Sequence, residues 1–578
     1  ELEAATILMS RIILTVGEWS DQQRRERPAV LWAEYFNKSA MLLQEINSPT
    51  AWTGRALHAL AAFAERQCVE MTSTRDDESA MAVRKQKTRE LAACRREITR
   101  ASSTNEAQRL RGIMRRLEIQ VTNDQKELDE LRTSIGGFLR LAIWSFVKCL
   151  ACTDAFDNCV YSLVSLIMTN ARAQELQHSL SPKLMDCVPS HKFLPLVHQL
   201  CARLSTEEDA FHQTTSQLVS RMAVEYPYHT MYHLFALRNA NRALASSSAT
   251  KISRKGSLSA LLLQESEKME ERRSEAATSI LTSVSSQSTD LHNIAQAINE
   301  LCTSYIDLAV CPVPDKFKNS KLGDNLIPFS SKTRISRLIK ELPPNIPVLT
   351  AAPQADAPCD YTSVPFVASI AAGYSLAGGI NLPKILRLVG TDGKRYKQLV
   401  KGKDDLRQDA IIQQLFHVIN RFMRSAGARS LGSASSASSA ASSLRIRTYQ
   451  VVPLTKRCGV LQWVDNTMPF GTWFQSREKR YRPNAPTMTQ LRATVHDVHK
   501  DKAATAQQKL EVFERVCGLA PPVFRFFFYE QFYNAQGWFE HRESYIRSAA
   551  VSSIAGWVLG IGDRHLQNIL VDQATAEL

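Results

Sequence analysis

The stretch Gly562–Asn568, with the sequence GDRHLQN, decides how this chain of 578 residues is interpreted. It follows the apolar run Ala549–Leu559, which predicts a helix, and the glycines before the loop free the chain to turn. A short apolar strand is predicted immediately afterwards, at Ile569–Val571. Taken alone, an Asp and an Asn in such a turn are more often local hydrogen-bonding residues than reactive ones.

The spacing between Asp563 and Asn568 matches a catalytic arrangement. Protein kinases place the Asp that accepts the substrate proton five residues before an Asn that holds a metal ion. Phosphoryl transfer asks a protein mainly to hold phosphates, to place a metal and to aim a hydroxyl group. Candidates for the phosphate-holding part lie upstream in the sequence.

A lysine and an acid are the first of these candidates. Lys401 ends a predicted strand and could pair with phosphate oxygens, although a surface lysine is the commoner alternative. Asp409 lies three residues from both Leu406 and Ile412, on the apolar stripe of the following helix. A buried carboxylate is costly unless it is paired. We therefore expect Lys401 to be its partner, with a hydrogen bond from Tyr449 on a neighbouring strand.

The glycine pair Gly378-Gly379 lies between two predicted strands. Without side chains, its backbone N–H groups could approach a phosphate, although a plain hairpin turn is an equal alternative. Each feature is weak alone. Their order along the chain (glycine pair, lysine, acidic helix, catalytic loop) is what indicates an ATP-dependent phosphotransferase.

Three segments are predicted from the change of sequence pattern. Residues 1–245 show apolar residues at helical spacing throughout and predict an α-solenoid. Residues 246–366 are polar, partly helical and rich in proline, as expected of a linker. From 367 the pattern alternates, which predicts a small sheet, then becomes helical to 578. The predicted strands of this last segment are Ile385–Val389, Lys397–Lys401 and Arg445–Val452.

Smaller features add detail to this outline. A helix is predicted from Asp404 to Met423, and residues 430–443, nearly all Ser and Ala, form a low-complexity insertion. The charged residues 81–135 predict one long amphipathic helix or an antiparallel pair, with the charges on a solvated face.

Composition excludes few classes of protein. Apolar residues make up 44% and charged residues 22% of the chain, as in soluble globular proteins. The net charge of +14 allows acidic partners but requires none. No run of eighteen apolar residues appears, so no membrane span is predicted. Cys149 and Cys152 have metal-site spacing without a second pair, so buried thiols are expected.

Two motifs carry a family resemblance. The segment Lys401–Asp409, KGKDDLRQD, and the loop GDRHxxN resemble the phosphatidylinositol 3-kinase-related protein kinases. Upstream, His191–Leu196 and Tyr226–Thr230 look like the end of that family's FAT domain, a helical solenoid. The resemblance covers most of the chain and weakens at 246–290, 315–365 and 430–443. It implies a mostly α protein: a FAT-like solenoid, then an α+β bilobal kinase domain that stops within its C-terminal lobe.

The resemblance also implies roles for individual residues in binding ATP. Lys401 would bind the phosphates, with Asp409 and Tyr449 supporting it in the inner pocket. Trp463 would stack near adenine, and the backbone from Gln462 to Val464 would hydrogen-bond the base. Gln462 stands where close members of the family often carry Glu. Little consequence is expected, because the contact uses the backbone.

The loop residues take the catalytic roles under the same resemblance. Asp563 would orient the substrate hydroxyl and take its proton, and His565 would stabilise charge on the transferred phosphoryl group. Asn568 would hold Mg²⁺, with Mn²⁺ as an alternative. The second metal-binding Asp of the family lies further along than the ten residues that follow Asn568. Residues 1–578 alone are therefore expected to turn over slowly.

The resemblance finally implies a biological setting. The expected activity is phosphorylation of Ser or Thr followed by Gln in proteins, in the signalling of DNA double-strand breaks. A nuclear location, a homodimer, a DNA-end-sensing partner complex and only indirect association with DNA are expected, without membrane contact. A phosphoinositide lipid kinase, which shares the Asp-Arg-His loop, is the alternative enzyme. A FAT scaffold with an inactive kinase domain is the alternative without catalysis.

Overall fold

The structure is a computed structural model. It describes residues 2–44, 51–75, 78–100, 103–240, 258–317, 326–351, 361, 364–377, 381–430 and 444–578. The predicted glycine pair Gly378-Gly379 and residues 431–443 of the Ser/Ala insertion lie outside these ranges. Among the described residues, those within 1–240, 250–296 and 353–363 form one compact unit. Those within 297–352 and 364–578 form a second. The three-part division drawn from the sequence stays a prediction.

The first unit is built from consecutive helices that pack against their neighbours, which confirms the helical prediction for this half. A π-helical turn at Leu31–Asn37 and a 3₁₀ helix at Ser190–Leu196 interrupt the series. The α-helices are α1 Leu2–Gln22, α2 Pro28–Val30, α3 Lys38–Gln44, α4 Ala51–Arg75, α5 Glu78–Arg100, α6 Thr104–Cys152, α7 Cys159–Thr169, α8 Gln174–Ser179, α9 Pro182–Asp186, α10 Val197–Cys201, α11 Ala210–Glu225, α12 Pro227–Arg238, α13 Leu258–Ser285 and α14 Thr289–Val310, whose later part belongs to the second unit.

Helices α5 and α6 form the antiparallel pair that was one of two predictions for the charged stretch. Lys87 Nζ lies 2.9 Å from an oxygen of Asp124, and Arg95 Nη2 lies 2.9 Å from Glu118 Oε1. Residues that come later on α5 therefore pair with residues that come earlier on α6. The surface ion pairs fix the register and contribute little free energy.

Helix α6 is also, among the described residues, the one helix long and apolar enough to cross a membrane by length and composition. In its most apolar window, 56% of the residues are buried inside the protein. The core helix of a soluble protein has the same property, so it does not by itself indicate a membrane segment. Cys149, at the end of this helix, is buried, and its thiol donates to Gly54 O at 3.3 Å.

The second unit contains a six-stranded antiparallel sheet in the order β1-β2-β3-β4-β6-β5, a two-stranded sheet of β7 and β8, and helices. A 3₁₀ turn at Asp315–Phe317 follows α14. The remaining elements are β1 Ile327–Pro328, α15 Arg334–Lys340, β2 Val367–Leu376, β3 Lys384–Gly390, β4 Arg395–Gly402, α16 Arg407–Ser430, β5 Val451–Thr455, β6 Cys458–Gln462, β7 Thr467–Pro469, α17 Phe470–Tyr481, α18 Met488–Lys500, α19 Ala506–Leu519, α20 Arg525–Gln531, α21 Ala535–Val558 and β8 Leu570–Asp572.

Alternation along β4 decides which way Lys401 faces. Gln398, Val400 and Gly402 are buried on one face of the strand. Leu399 and Lys401 therefore point to the other face, because side chains alternate along a strand. On that face Leu399 packs against a core that includes Leu406, at the start of α16. The sheet thus presents Lys401 to the side on which α16 lies.

The strand predicted at Arg445–Val452 is wrong from Arg445 to Gln450, since β5 begins only at Val451. The earlier residues give their backbone hydrogen bonds to side chains of α16. Ile446 N–H donates to Asn420 Oδ1 at 2.8 Å, and Tyr449 N–H donates to Gln413 Oε1 at 3.1 Å. Alternation of side chains indicates an extended backbone, but it does not identify the hydrogen-bond partner.

An aromatic core supports the helical part of this unit. Trp473 and Phe527 are almost fully buried, with the ring of Phe524 stacked on Phe527 at a centroid distance of 5.1 Å. Leu566, within the loop Gly562–Asn568, and Ile569, directly after it, pack against this core. The end of the loop is therefore attached to the aromatic core.

We expect Gly402→Ala to destabilise the second unit. A Cβ at Gly402 would lie 2.4 Å from Ala309 O, a backbone atom of α14 that cannot move alone. Overpacking of this kind costs about 1–3 kcal/mol, which calorimetry would detect as a lower unfolding temperature. Gly112→Ala on α6 is the control, because a Cβ there meets nothing within 4 Å and should raise helix stability by about 0.5–1 kcal/mol. Unchanged unfolding of Gly402→Ala would contradict the packing described.

Candidate active site

The loop begins where α21 ends in a left-handed turn. Gly560 has φ of 64°, a conformation that residues with a side chain rarely adopt. Ile561 N–H donates to Gly556 O at 2.8 Å, and Gly560 N–H donates to Trp557 O at 3.1 Å. These two bonds form a Schellman motif, which satisfies the last carbonyl groups of the helix. The sequence prediction that the glycines end this helix is confirmed.

Asp563 and Asn568 are brought into direct contact. Asn568 Nδ2 donates to Asp563 O at 3.0 Å and to Asp563 Oδ2 at 2.9 Å. Asp563 has φ of 56°, which is unusual for a residue with a side chain. Such conformations persist when surrounding bonds hold them, and they cluster at functional sites. The two hydrogen bonds from Asn568 hold Asp563 in this way.

His565 lies beside Asp563 with a defined tautomer. Gln567 N–H donates to His565 Nδ1 at 3.1 Å, so Nδ1 is the acceptor and the proton of the neutral ring lies on Nε2. Nε2 is 3.7 Å from Asp563 Oδ1. The side chains of His565 and Asp563 are 57% and 77% exposed, which leaves both open to a ligand.

The start of α17 fixes the other end of the loop. Gly471 N–H donates to Leu566 O at 2.8 Å, and Phe470 N–H donates to Ile569 O at 3.0 Å. A Cβ at Gly471 would lie 2.4 Å from Gln567 Nε2. The glycine therefore permits this close approach, and both ends of the loop are attached to the helical part of the unit.

The position of Lys401 differs from the prediction in its ion-pair partner. Its Nζ lies 3.4 Å from Asp404 Oδ2, and the structure records no contact of that length with Asp409. Lys403, between the two partners, has φ of 63° and turns the chain back so that Asp404 approaches Lys401. The two acids of the KGKDD motif indicated that a carboxylate could lie near Lys401. The backbone turn at Lys403 determines that this carboxylate belongs to Asp404.

Asp409 interacts with Lys401 through its charge. Burial raises the pKa of Asp409, and the Lys401 ammonium group opposes that rise. Burial and then the charge of Asp409 raise the pKa of Tyr449, while the positive charge of Arg564 lowers it. Tyr449 therefore lies within electrostatic range of both α16 and the loop. The predicted hydrogen bond from Tyr449 to Asp409 is absent from the bonds recorded between described residues.

The strand β6 leads into the predicted adenine contact. Gln462 N–H donates to Gln450 O at 2.8 Å, and Trp463 N–H donates to Lys397 O at 3.1 Å. Both groups are therefore engaged within the sheet. Among the described residues, no acceptor is recorded for Val464 N–H. Val464 O accepts from Thr467 Oγ1 at 2.9 Å, which orients this peptide.

The donor set of the loop fits a hard cation. Because Asn568 makes both of its hydrogen bonds through Nδ2, its Oδ1 is available as a ligand atom. Amide and carboxylate oxygens are the ligands that Mg²⁺ accepts, and Asp563 supplies carboxylate oxygens in contact with Asn568. The predicted glycine pair cannot be placed, because Gly378 and Gly379 lie outside the described residues.

Two further ion pairs involve residues that follow the loop in the sequence, and the sequence analysis did not predict them. Arg447 Nη1 contacts Asp572 Oδ2, and Arg445 Nη2 lies 2.8 Å from Glu577 Oε1. The pairs join residues more than a hundred positions apart. Nothing in their spacing could have indicated this contact.

Comparisons with known proteins show similarity to kinases. Residues 395–578 match the family described as phosphatidylinositol 3- and 4-kinase. The serine-protein kinase ATM of Sus scrofa is 30% identical over 97% of this chain. A structure of the FAT and kinase domain of CtTel1 covers 98% of this chain with a TM-score of 0.78 and 26% identity, and 36% of its own length is matched. A structure described as the complete CtTel1 dimer with C2 symmetry, of which 19% is matched, gives the same TM-score, identity and coverage of this chain.

These matches confirm the resemblance drawn from the KGKDDLRQD and GDRHxxN motifs. They also confirm the predicted fold class, a helical FAT-like region followed by a kinase domain. The chain spans 18% of the length of the Sus scrofa kinase.

We expect Asp409→Asn to stabilise the second unit at neutral pH. The fold raises the pKa of Asp409 above its ordinary value of 3.8 and so disfavours the ionised form. A raised pKa adds stability only where the group is protonated, and that stability is lost as pH rises. Thermal unfolding should show a gain for Asp409→Asn at pH 7 that narrows as pH falls toward 3.8.

Asp405→Asn is the matched control, and its expected effect on the unfolding temperature has the opposite sign. Hydrogen bonds from Arg407 hold the pKa of Asp405 below its ordinary value, so its ionised form is favoured. This variant should lower the unfolding temperature at pH 7. A loss of stability in Asp409→Asn equal to that in Asp405→Asn would contradict the electrostatic description of Asp409.

Proposed function

We propose that the protein is an ATP-dependent serine/threonine protein kinase, a function supported by the match of residues 395–578 to the phosphatidylinositol 3- and 4-kinase family. The observation that carries the proposal is the contact between Asp563 and Asn568, residues with the spacing of a catalytic base and a metal ligand. Their exposure leaves room for a substrate hydroxyl. Lys401 and Asp409 supply the accompanying lysine and acid.

Each loop residue has a task in this proposal. Asp563 accepts the proton of the substrate hydroxyl group and directs the oxygen of that hydroxyl group at the γ-phosphorus of ATP. His565 donates the N–H of Nε2 to an oxygen of the transferred phosphoryl group. A positioned donor of this kind stabilises charge that develops in the transition state. The hydrogen bonds within the loop hold both groups in place before substrate binds, so little reorganisation is needed.

The nucleotide is held by the sheet and α16. Lys401 binds phosphate oxygens, and Asp404 keeps its ammonium group oriented from 3.4 Å. Val464 N–H donates to the adenine base, since the N–H groups of Gln462 and Trp463 are engaged within the sheet. Trp463, half-buried at the end of β6, contacts the base. Asp409 and Tyr449 support the inner pocket through their charge and dipole.

A divalent cation completes the proposed site. Asn568 Oδ1 would hold Mg²⁺, or Mn²⁺ in its place, and Asp563 would remain the proton acceptor. When bound, the ion offsets negative charge on the phosphates.

A protein substrate is favoured over a lipid for one reason. The family includes kinases of phosphatidylinositol, but the similarity to ATM and Tel1 continues through the helical first half of the chain. We infer a preference for Ser or Thr followed by Gln and a role in signalling DNA double-strand breaks. A nuclear location, a DNA-end-sensing partner complex, indirect association with DNA and a homodimer belong to the same proposal. The C2 dimer of CtTel1 supports the last point.

The natural polypeptide that contains these 578 residues should phosphorylate a Ser-Gln peptide in the presence of ATP and Mg²⁺. Asp563→Asn keeps the hydrogen bonds of the loop but removes the proton acceptor, so kcat should fall by about 10²–10⁴-fold. The measurement is transfer of labelled phosphate to the peptide, to the same peptide with Ala for Ser, and to vesicles containing phosphatidylinositol.

Asp129→Asn is the control variant, because Asp129 lies exposed on α6, and its activity should equal that of the unsubstituted protein. Label in the vesicles and not in the peptide would support the lipid-kinase alternative. Equal phosphorylation by the Asp563→Asn variant would support a scaffold without catalysis.

A further inference from the structure

The segment from Leu444 to Gln450 is hydrogen-bonded to helix α16. Asn420 exchanges two hydrogen bonds with the backbone of Ile446, each 2.8 Å long. Gln413 accepts from Tyr449 N–H at 3.1 Å. Both amide side chains are buried, so water does not compete for these bonds. Helix α16 also carries Asp409. The segment is therefore attached to the phosphate-binding half of the proposed site, which comprises Lys401 and Asp409.

Arginine side chains from this segment reach the residues that follow the catalytic loop. Arg447 donates to Asp572, and Arg445 donates through Nε and Nη2 to Glu577 Oε1 at 3.1 and 2.8 Å. The Asp572 side chain is 3% exposed and that of Arg447 is 33% exposed, whereas Arg445 is 62% exposed. The Arg447 pair is therefore shielded from solvent far more than the Arg445 pair.

Strand β8 connects Asp572 to the loop. Asp572 is the last residue of β8, which begins two residues after Asn568 and pairs with β7. Asp572 Oδ1 accepts from Ala574 N–H at 2.7 Å and from Thr575 N–H at 3.0 Å. Asp572 N–H donates to Glu577 O at 2.9 Å. A shift of Asp572 therefore moves the strand that positions Asn568.

The Arg447–Asp572 pair is shielded from solvent, so its loss should have a larger effect than the loss of an exposed ion pair. A buried carboxylate that loses its partner costs several kcal/mol, because its charge is left without solvent. Burial alone would raise the pKa of Asp572, but the hydrogen bonds from Arg447 and from the backbone hold it below its ordinary value. The ionised pair is thus the preferred state of this contact at neutral pH.

We propose that Arg447 and Asp572 are positioning residues that fix the distance between the phosphate-binding half of the site and the catalytic loop. This proposal rests on the proposed kinase function. Phosphoryl transfer is catalysed mainly by placement of groups, and a displacement of about 1 Å can cost about a hundredfold in rate. Arg447 and Asp572 connect Lys401 and Asp409 on one side with Asp563 and Asn568 on the other.

The test is steady-state kinetics of Arg447→Met in the natural polypeptide, with a Ser-Gln peptide and ATP. We expect kcat to fall by about tenfold or more while KM for ATP changes by less than about twofold, because a geometric displacement lowers the rate without removing the nucleotide contacts. Arg447→Lys keeps the charge and should recover part of the rate. Arg445→Met should have a much smaller effect, since its pair is exposed. Arg95→Met, in the surface pair with Glu118, should have none.

The double variant Arg447→Met/Asp572→Asn separates positioning from stability. It removes the unpaired buried charge, so the unfolding temperature should return toward that of the unsubstituted protein. The kcat should stay low, because the link is still missing. Recovery of kcat together with the unfolding temperature would overturn the proposal, as would a kcat of Arg447→Met within twofold of the starting value.

Failure of the kinase proposal gives a different result. In that case the unsubstituted protein itself would not label the peptide, and Asp563→Asn would change nothing. An active protein whose rate is indifferent to Arg447→Met and Arg447→Lys would reject the positioning link alone.

Discussion

The two hydrogen bonds from Asn568 to Asp563 are the constraint on which the rest of the site depends. Asp563 adopts a left-handed backbone conformation that is unfavourable for a residue with a side chain. It is held there from one side by Asn568 and from the other by the left-handed turn at Gly560. The same bonds occupy the nitrogen of the Asn568 amide and leave its oxygen available. One local arrangement therefore sets the proposed base and the proposed metal ligand.

Electrostatics at Tyr449, in addition to the contact of Arg447 with Asp572, connects this loop to the sheet and α16. Three acids, Asp404, Asp405 and Asp409, lie close to Lys401 along the chain, yet their roles differ. Asp404 is the ion-pair partner, Asp405 is neutralised by Arg407, and Asp409 is half-buried with a raised pKa. A site that binds a triphosphate benefits from this distribution, because a lysine held by one exposed acid can exchange that partner for phosphate oxygens.

Much of this arrangement could be predicted from sequence, and the failures have a common cause. The end of α21, the loop spacing and the burial of Asp409 follow from local patterns, since each depends on residues within one or two turns. The partner of Lys401 could not be predicted, because the backbone turn at Lys403 decides it. The strand prediction for Arg445–Val452 was wrong from Arg445 to Gln450, because Asn420 and Gln413 of helix α16 supply hydrogen bonds to this segment. The contact of Arg447 with Asp572 is a product of tertiary structure alone.

A crystal or cryo-EM structure of the natural polypeptide with a non-hydrolysable ATP analogue and Mg²⁺ would test this site most directly. We expect the Lys401 ammonium group on phosphate oxygens, the Val464 N–H on the adenine base and the metal on the amide oxygen of Asn568. We also expect Asn568 to keep its hydrogen bonds to Asp563. A nucleotide bound away from Lys401, or a metal ion held without Asn568, would contradict the proposed site.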